Sequence, residues 1–309
     1  MLPPADSPRA AARGVTSPDQ PPPRNGRARF PALGRANRRT WAGALAAFGL
    51  AATLAPLSRA APAAGNSGNN NSQDGALSLP SAINKSGRQR MLSQRMGKAW
   101  AMQALGVEPE VAAKILQQSQ DLFSAQLGEL QQTIPTSEIA AAVSALTQSW
   151  ANYRRDLQLP PNQDNAARVY RSGDQTLQRA EELTALYEKA LGTHQAALVN
   201  VAGRQRMLSQ RMARAFYFGQ IRISADTASD LQTATQTFSA SLQQLQNAPQ
   251  NTPDIKRELD LAAQQWIFFQ SAIRGGLPES DANRNVATTS ERLLEQLNDV
   301  TAKYEKLFG

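Results

Sequence analysis

From about residue 81 onward, apolar positions recur every three to four residues, the period of an amphipathic helix, and no stretch shows the alternation of a half-buried strand. Breakers cut this pattern into eight segments. The first four are predicted helices over 81–106, 109–132, 136–158 and 164–192. Gly106 stops the first, Pro109 sits where an N1 proline opens the second, and Pro135 and Pro160-Pro161 separate the rest. The next four are predicted over 196–224, 227–247, 253–274 and 279–308. Their breaks are the capping residue Asp226, the run from Pro249 to Pro253, and Gly275-Gly276 with Pro278. Four helices with short connections predict an up-and-down bundle. Only Gly192 stands between the fourth helix and the fifth.

The two sets of four are copies of one another. Ile83-Asn84-Lys85-Ser86 leads into GRQRMLSQRM at Gly87–Met96, and Val199-Asn200-Val201-Ala202 leads into the same decapeptide at Gly203–Met212, an offset of 116. Trp150 and Trp266 share that offset, and Phe123-Ser124-Ala125 matches Phe238-Ser239-Ala240 at 115. Thr184-Ala185 with Tyr187-Glu188-Lys189 matches Thr301-Ala302 with Tyr304-Glu305-Lys306 at 117. A fixed period of this kind marks a repeated structural unit. The predicted fold is therefore all-α, two tandem up-and-down four-helix modules over 81–194 and 195–309, behind a disordered leader and a flexible linker at 65–80.

Composition narrows the function. The 309 residues include no Cys and one His, His194, which argues against disulfides, thiolate metal sites and His-based catalysis. The net charge of +8 suggests nucleic acid, but its position does not. Residues 1–60 hold nine Arg against two acids, whereas the remaining 24 basic and 23 acidic side chains nearly cancel. Nucleic acid is not an expected partner. Residues 1–36 are rich in Pro, Arg, Gly and Ala; Arg38-Arg39 then precede a mildly apolar stretch from Ala42 to Leu57. This segment, within 1–64, resembles a twin-arginine export signal and predicts a periplasmic protein. The alternative is an inner-membrane anchor at 42–57, short for a span of roughly 20 residues.

At about 100° per residue, Ile83, Gly87, Arg90, Met91, Gln94 and Lys98 fall on one side of the first helix, with Leu92, Met96 and Ala99 on the other. Val199, Gly203, Arg206, Met207, Gln210 and Arg214 repeat the first set. The Leu/Met side suits a bundle core. A glycine inside a helix costs roughly 0.5–1 kcal/mol against alanine, usually compensated by close approach of a helix or ligand. An arginine one turn later projects beside that bare patch. Two such faces meeting about a pseudo-two-fold axis bring guanidinium groups together, and a small planar oxyanion between them matches their paired N–H donors. The anion-binding candidates are Gly87, Arg90, Gly203 and Arg206, with Asn84, Arg88, Gln94, Asn200, Arg204 and Gln210 secondary. Arg88, Arg95, Arg204 and Arg211 equally suit pairing with acids on neighbouring helices, and the methionines suit packing. The acids Glu181, Glu182, Glu291 and Glu295 read as solvated helix faces, and His194 as a surface or capping residue.

Asn-x-x-Gly-x-x-Arg-Met-x-Ser-x-Arg on a first helix resembles the P-box of the NarX/NarQ nitrate-sensor family. The longer GRQRMLSQRM resembles the N-terminal domain of PilJ-type chemotaxis transducers, where such modules also occur in tandem. The resemblance covers about residues 80–309. It implies a periplasmic four-helix sensor that holds nitrate, or nitrite more weakly, between two first helices, with Gly87 and Arg90, and again Gly203 and Arg206, at the ligand. Asn84 and Asn200 match the asparagine that opens the motif. Family members usually continue into a membrane span, a HAMP segment and an output module, which these residues do not show, so the expected output is a separate membrane sensor kinase or chemoreceptor. The modules are expected to pair with each other or between chains as a homodimer.

Three classes of function follow. The first is an exported anion-sensing protein with nitrate or nitrite as ligand. The second is a non-catalytic helical adaptor or scaffold of the cell envelope, linked to chemoreceptor or type IV pilus signalling. An enzyme is not expected: the sequence offers no phosphate-binding glycine loop, no metal-ligand cluster and no nucleophile–base pair, and no cofactor is predicted.

Overall fold

The computed structural model describes residues 76–192 and 194–308; the predicted leader and export signal, and most of the predicted linker, lie outside the described residues. Eight helices follow in order: α1 (Leu79–Ala104), α2 (Pro109–Gln131), α3 (Ser137–Asp156), α4 (Gln163–Leu191), α5 (His194–Ile221), α6 (Thr227–Gln246), α7 (Pro253–Ile273) and α8 (Glu279–Phe308). Among the described residues there is no strand. The fold is all-α, as the periodicity predicts.

The ends of these helices follow local chemistry. Side chains of Thr136, Asn162, Asp226 and Thr252 each accept a hydrogen bond from the backbone N–H three residues on, at 3.0–3.2 Å, satisfying a donor the helix itself leaves free. Ser78 does the same for α1 at 3.4 Å, so the first helix starts inside the predicted linker, with Pro80 in its first turn. Gly192 closes α4 at φ +65°, a left-handed conformation that glycine adopts without steric cost.

Each copy repeats its internal packing. Phe123 stacks on Trp150 with ring centroids 4.3 Å apart, and Phe238 meets Trp266 at 4.5 Å. Tyr187 donates to the carbonyl of Thr133 at 2.6 Å, and Tyr304 to the side chain of Asn251 at 2.5 Å, so each fourth helix is tied to the turn after its second. The two copies are not beads on a string. α1 packs against α5 along much of its length, α4 and α8 close around that pair, and α2–α3 and α6–α7 flank it. Helices α1 and α5 are consequently buried on nearly every side, polar residues included. Among the described residues, no helix is long and apolar enough to cross a membrane.

Candidate functional site at the junction of the two first helices

Arg90 and Arg206 are both fully buried. A Cβ on Gly203 would lie 3.4 Å from Nη2 of each, and a Cβ on Gly87 would lie 3.0 Å from Nη2 of Arg90. The two glycines thus leave the space into which the guanidinium groups fold. All four primary candidates come together at one place.

Their hydrogen bonds cross between the copies. Arg90 Nη2 donates to Asn200 Oδ1 at 2.7 Å, and Arg206 Nη2 donates to Asn84 Oδ1 at 2.8 Å. Each asparagine in turn donates to a carboxylate of the other copy: Asn200 to Glu188 at 2.5 Å, and Asn84 to Glu305. The asparagines that open the motif are therefore inter-copy connectors.

The pseudo-symmetry fails at one point, and there the charge balance fails with it. Arg90 Nη1 pairs with Glu181 Oε2 on α4 at 2.7 Å, and Arg204 reaches the other oxygen of the same carboxylate. At the matching position of α8 stands neutral Asn298, whose side-chain oxygen lies 3.4 Å from Arg206 Nη1. Burial, and then the neighbouring charges of Arg88 and Arg90, disfavour the charged form of Arg206 more than the carboxylate of Glu305 restores it. A guanidinium does not give up its proton in a protein. That imbalance is therefore a standing electrostatic cost; the unpartnered Nε is a feature Arg206 shares with Arg90. Arg90 feels the same burial, but Glu181 offsets it directly. Burial raises the Glu181 carboxyl, and Arg90 and Arg204 together outweigh that and hold it below its usual range.

Two expectations are corrected here. Glu181 and Glu291 are not solvated faces; both are partners of the repeated cations. Convergence of Arg90 and Arg206 also does not require an ion between them on the Arg90 side, because Glu181 and Asn200 already occupy that guanidinium. Glu182 pairs with Arg179 on the surface and Glu295 is exposed, as predicted.

Two turns further along, a second cluster escaped the sequence reading. Lys98, fully buried, donates to Glu291 on α8 at 2.5 Å and to Ser290 at 3.1 Å. Its counterpart Arg214, also fully buried, donates to Asp174 on α4 at 2.7 Å, to the Tyr170 carbonyl at 2.5 Å and to Gln94 Oε1 at 2.6 Å. The guanidinium carbon lies 3.7 Å from the centre of the Tyr170 ring, a cation–π contact. Both ion pairs again join one copy to the other. Gln94 belongs to this cluster rather than to the first. Gln210 donates to the Ser290 carbonyl at 3.0 Å, and among the flanking arginines Arg95 pairs with Glu291 and Arg211 with Asp230. Arg88 is half-buried, with Glu305 and Glu129 as its nearest opposite charges. The side chain of His194 lies outside the described residues. The signal for the second cluster was in the repeat: Lys98 and Arg214 are 116 apart, and Asp174 and Glu291 are 117 apart.

Two four-helix modules whose first helices cross-link through buried cations define a tandem helical-bundle domain with its chemistry at the module junction. The family described as the N-terminal domain of type IV pili methyl-accepting chemotaxis transducers matches residues 74–179 and 192–291, once per copy and over more than half of the chain. The chain belongs to that family, and the likeness to NarX/NarQ rests on the short motif alone. No curated protein and no solved structure matches it.

Proposed function

We propose that this protein is a non-catalytic sensory adaptor of the cell envelope that works with a type IV pilus chemotaxis transducer, and that the α1–α5 junction is its responsive element. The observation behind this reading is the reciprocal bonding of Arg90 to Asn200 and Arg206 to Asn84, which makes the position of one module depend on the other. An exported location follows from the sequence of the leader and is part of the same proposal. Binding of the full chain to the transducer from the same cells tests it. Micromolar binding that weakens in an Asn84→Ala/Asn200→Ala variant is expected; no binding by the intact chain overturns the reading.

A second reading is favoured by one feature, the absence of a carboxylate beside Arg206 where Arg90 has Glu181. A small oxyanion, nitrate or nitrite first, would supply the missing negative charge from outside the chain. The group nearest such an ion would be Arg206, supported by Arg88, Asn84 and Asn298. Thermal-shift titration of the full chain with nitrate, nitrite, chloride and sulfate separates the readings. A ligand at 100 times its Kd stabilises a fold by about 2.7 kcal/mol. Nitrate-selective stabilisation that disappears in Asn298→Glu, a variant that builds the counter-charge into the protein, supports the sensor. No selective shift leaves the adaptor alone.

A further inference from the structure

Helix α7 carries an apolar face that its counterpart in the first copy lacks. Ile267 and Phe268 are 64 % and 61 % exposed, and Leu261, one helical heptad before Phe268, is 41 % exposed. At the matching positions of α3, 116 residues earlier, stand Ala151, Asn152 and Ala145. Scattered apolar side chains on a surface are ordinary. These three fall together on one continuous arc of α7, with Arg257, Asp260, Gln264, Ser271 and Arg274, and every one of the eight is exposed.

The charges on that arc complement themselves. Asp260, Ile267 and Arg274 are spaced by seven residues and so lie on one line along the helix. Two α7 helices laid antiparallel, with the two-fold axis at Ile267, would bring Asp260 of each copy opposite Arg274 of the other. Ile267 would then meet Ile267 of the partner, with the two Phe268 rings beside that pair, and Gln264 would lie within one residue of the partner's Ser271 along the seam. In a parallel pair, by contrast, Asp260 would face Asp260 and Arg274 would face Arg274. Two other charges of α7 are engaged within the chain, Arg257 with Asp254 and Glu258 with Lys303, whereas Lys256, Asp260 and Arg274 have no ion-pair partner among the described residues. An isologous contact that repeats its own complement is the pattern of a closed two-fold dimer.

We propose that α7 is a homodimerisation surface, occupied by the α7 of a second copy in antiparallel orientation about Ile267. The copy-two module thereby joins chains, while the copy-one module, with its small and polar α3 face, stays free.

The test uses the full chain in analytical ultracentrifugation. The intact protein is expected to sediment as a dimer at tens of micromolar. The Ile267→Ala/Phe268→Asn variant, which installs the residues that copy one already tolerates at these positions, is expected to be monomeric with unchanged circular dichroism and melting temperature. Asp260→Arg is expected to weaken the dimer at least tenfold, and Arg274→Asp in the same chain to restore it. Because the protein has no cysteine, orientation can be read by disulfide formation. Gln264→Cys and Ser271→Cys chains should cross-link when mixed, and neither should cross-link with itself. A monomeric intact chain, a dimer indifferent to Ile267→Ala/Phe268→Asn, or self-cross-linking of either single variant would each overturn the proposal.

Discussion

Among single residues, Glu291 carries the most. Burial pushes its carboxyl up, but Lys98 and Arg95 outweigh that and hold it at about 2. An ordinary glutamate in the unfolded chain titrates near 4.3. A depressed folded value means that this carboxylate contributes its full stability above about pH 4.3, and that the contribution is lost as pH falls through about 2. Glu291→Gln leaves Lys98 buried with only Ser290 as a side-chain partner. Breaking a buried pair from one side costs about 3–5 kcal/mol, so denaturant unfolding at pH 7 should show a loss of that order. The gap between variant and parent should close as pH falls from about 4 towards 2. A gap that does not change with pH would mean the pair is not ionic. The contrast between Glu181 and Asn298 belongs to the same scale: one side-chain change between repeats decides which buried arginine is neutralised within the chain.

At the scale of the helix, the first helices are held by closeness, and closeness is set by glycine. A Cβ on Gly97 would lie 3.0 Å from Cδ and Nε of Arg214 and 3.1 Å from the Tyr153 hydroxyl, all of them buried. Arg214 on α5 and Tyr153 on α3 would each have to give by a few tenths of an ångström. Gly128 in α2 has nothing within 4 Å of the same position. Replacing a helical glycine by alanine gains roughly 0.5–1 kcal/mol where there is room, and overpacking a core costs about 1–3 kcal/mol. Gly128→Ala is therefore expected to raise the melting temperature by a few degrees and Gly97→Ala to lower it. Equal and positive shifts would show that the junction is looser than this packing implies.

At the scale of the molecule, the two modules behave as one body. Their shared interior is the α1–α5 pair, and its buried cations find their acids across the copy boundary, Lys98 on α8 and Arg214 on α4. Separating the copies would strip both charges of their partners. Calorimetry should therefore show one unfolding transition for the described region, not one per repeat. Two resolved transitions in the parent protein would mean that the inter-copy bonds contribute little.

Periodicity and breakers, with the one cap Asp226, made all eight helices legible, because a bundle's helix ends are local decisions; Thr136, Asn162 and Thr252, which the structure shows as caps, act over the same three-residue span. The repeat of the decapeptide likewise announced that Gly87, Arg90, Gly203 and Arg206 form matched pairs. Which groups would neutralise those arginines was not legible. Glu181 and Glu291 sit on amphipathic helices whose polar faces look solvated; packing within the first copy brings Glu181 to Arg90, and docking of the two copies brings Arg204 to Glu181 and Glu291 to Lys98 and Arg95. A helix's own periodicity shows which side is polar but carries no trace of what a second helix brings to that side. The eight helices and their two-fold repetition were determined by the sequence by itself. The assignment of each buried charge to its partner, and with it the only partly compensated Arg206, was decided by tertiary structure, because electrostatic balance in a low-dielectric interior depends on distances between segments far apart in the chain.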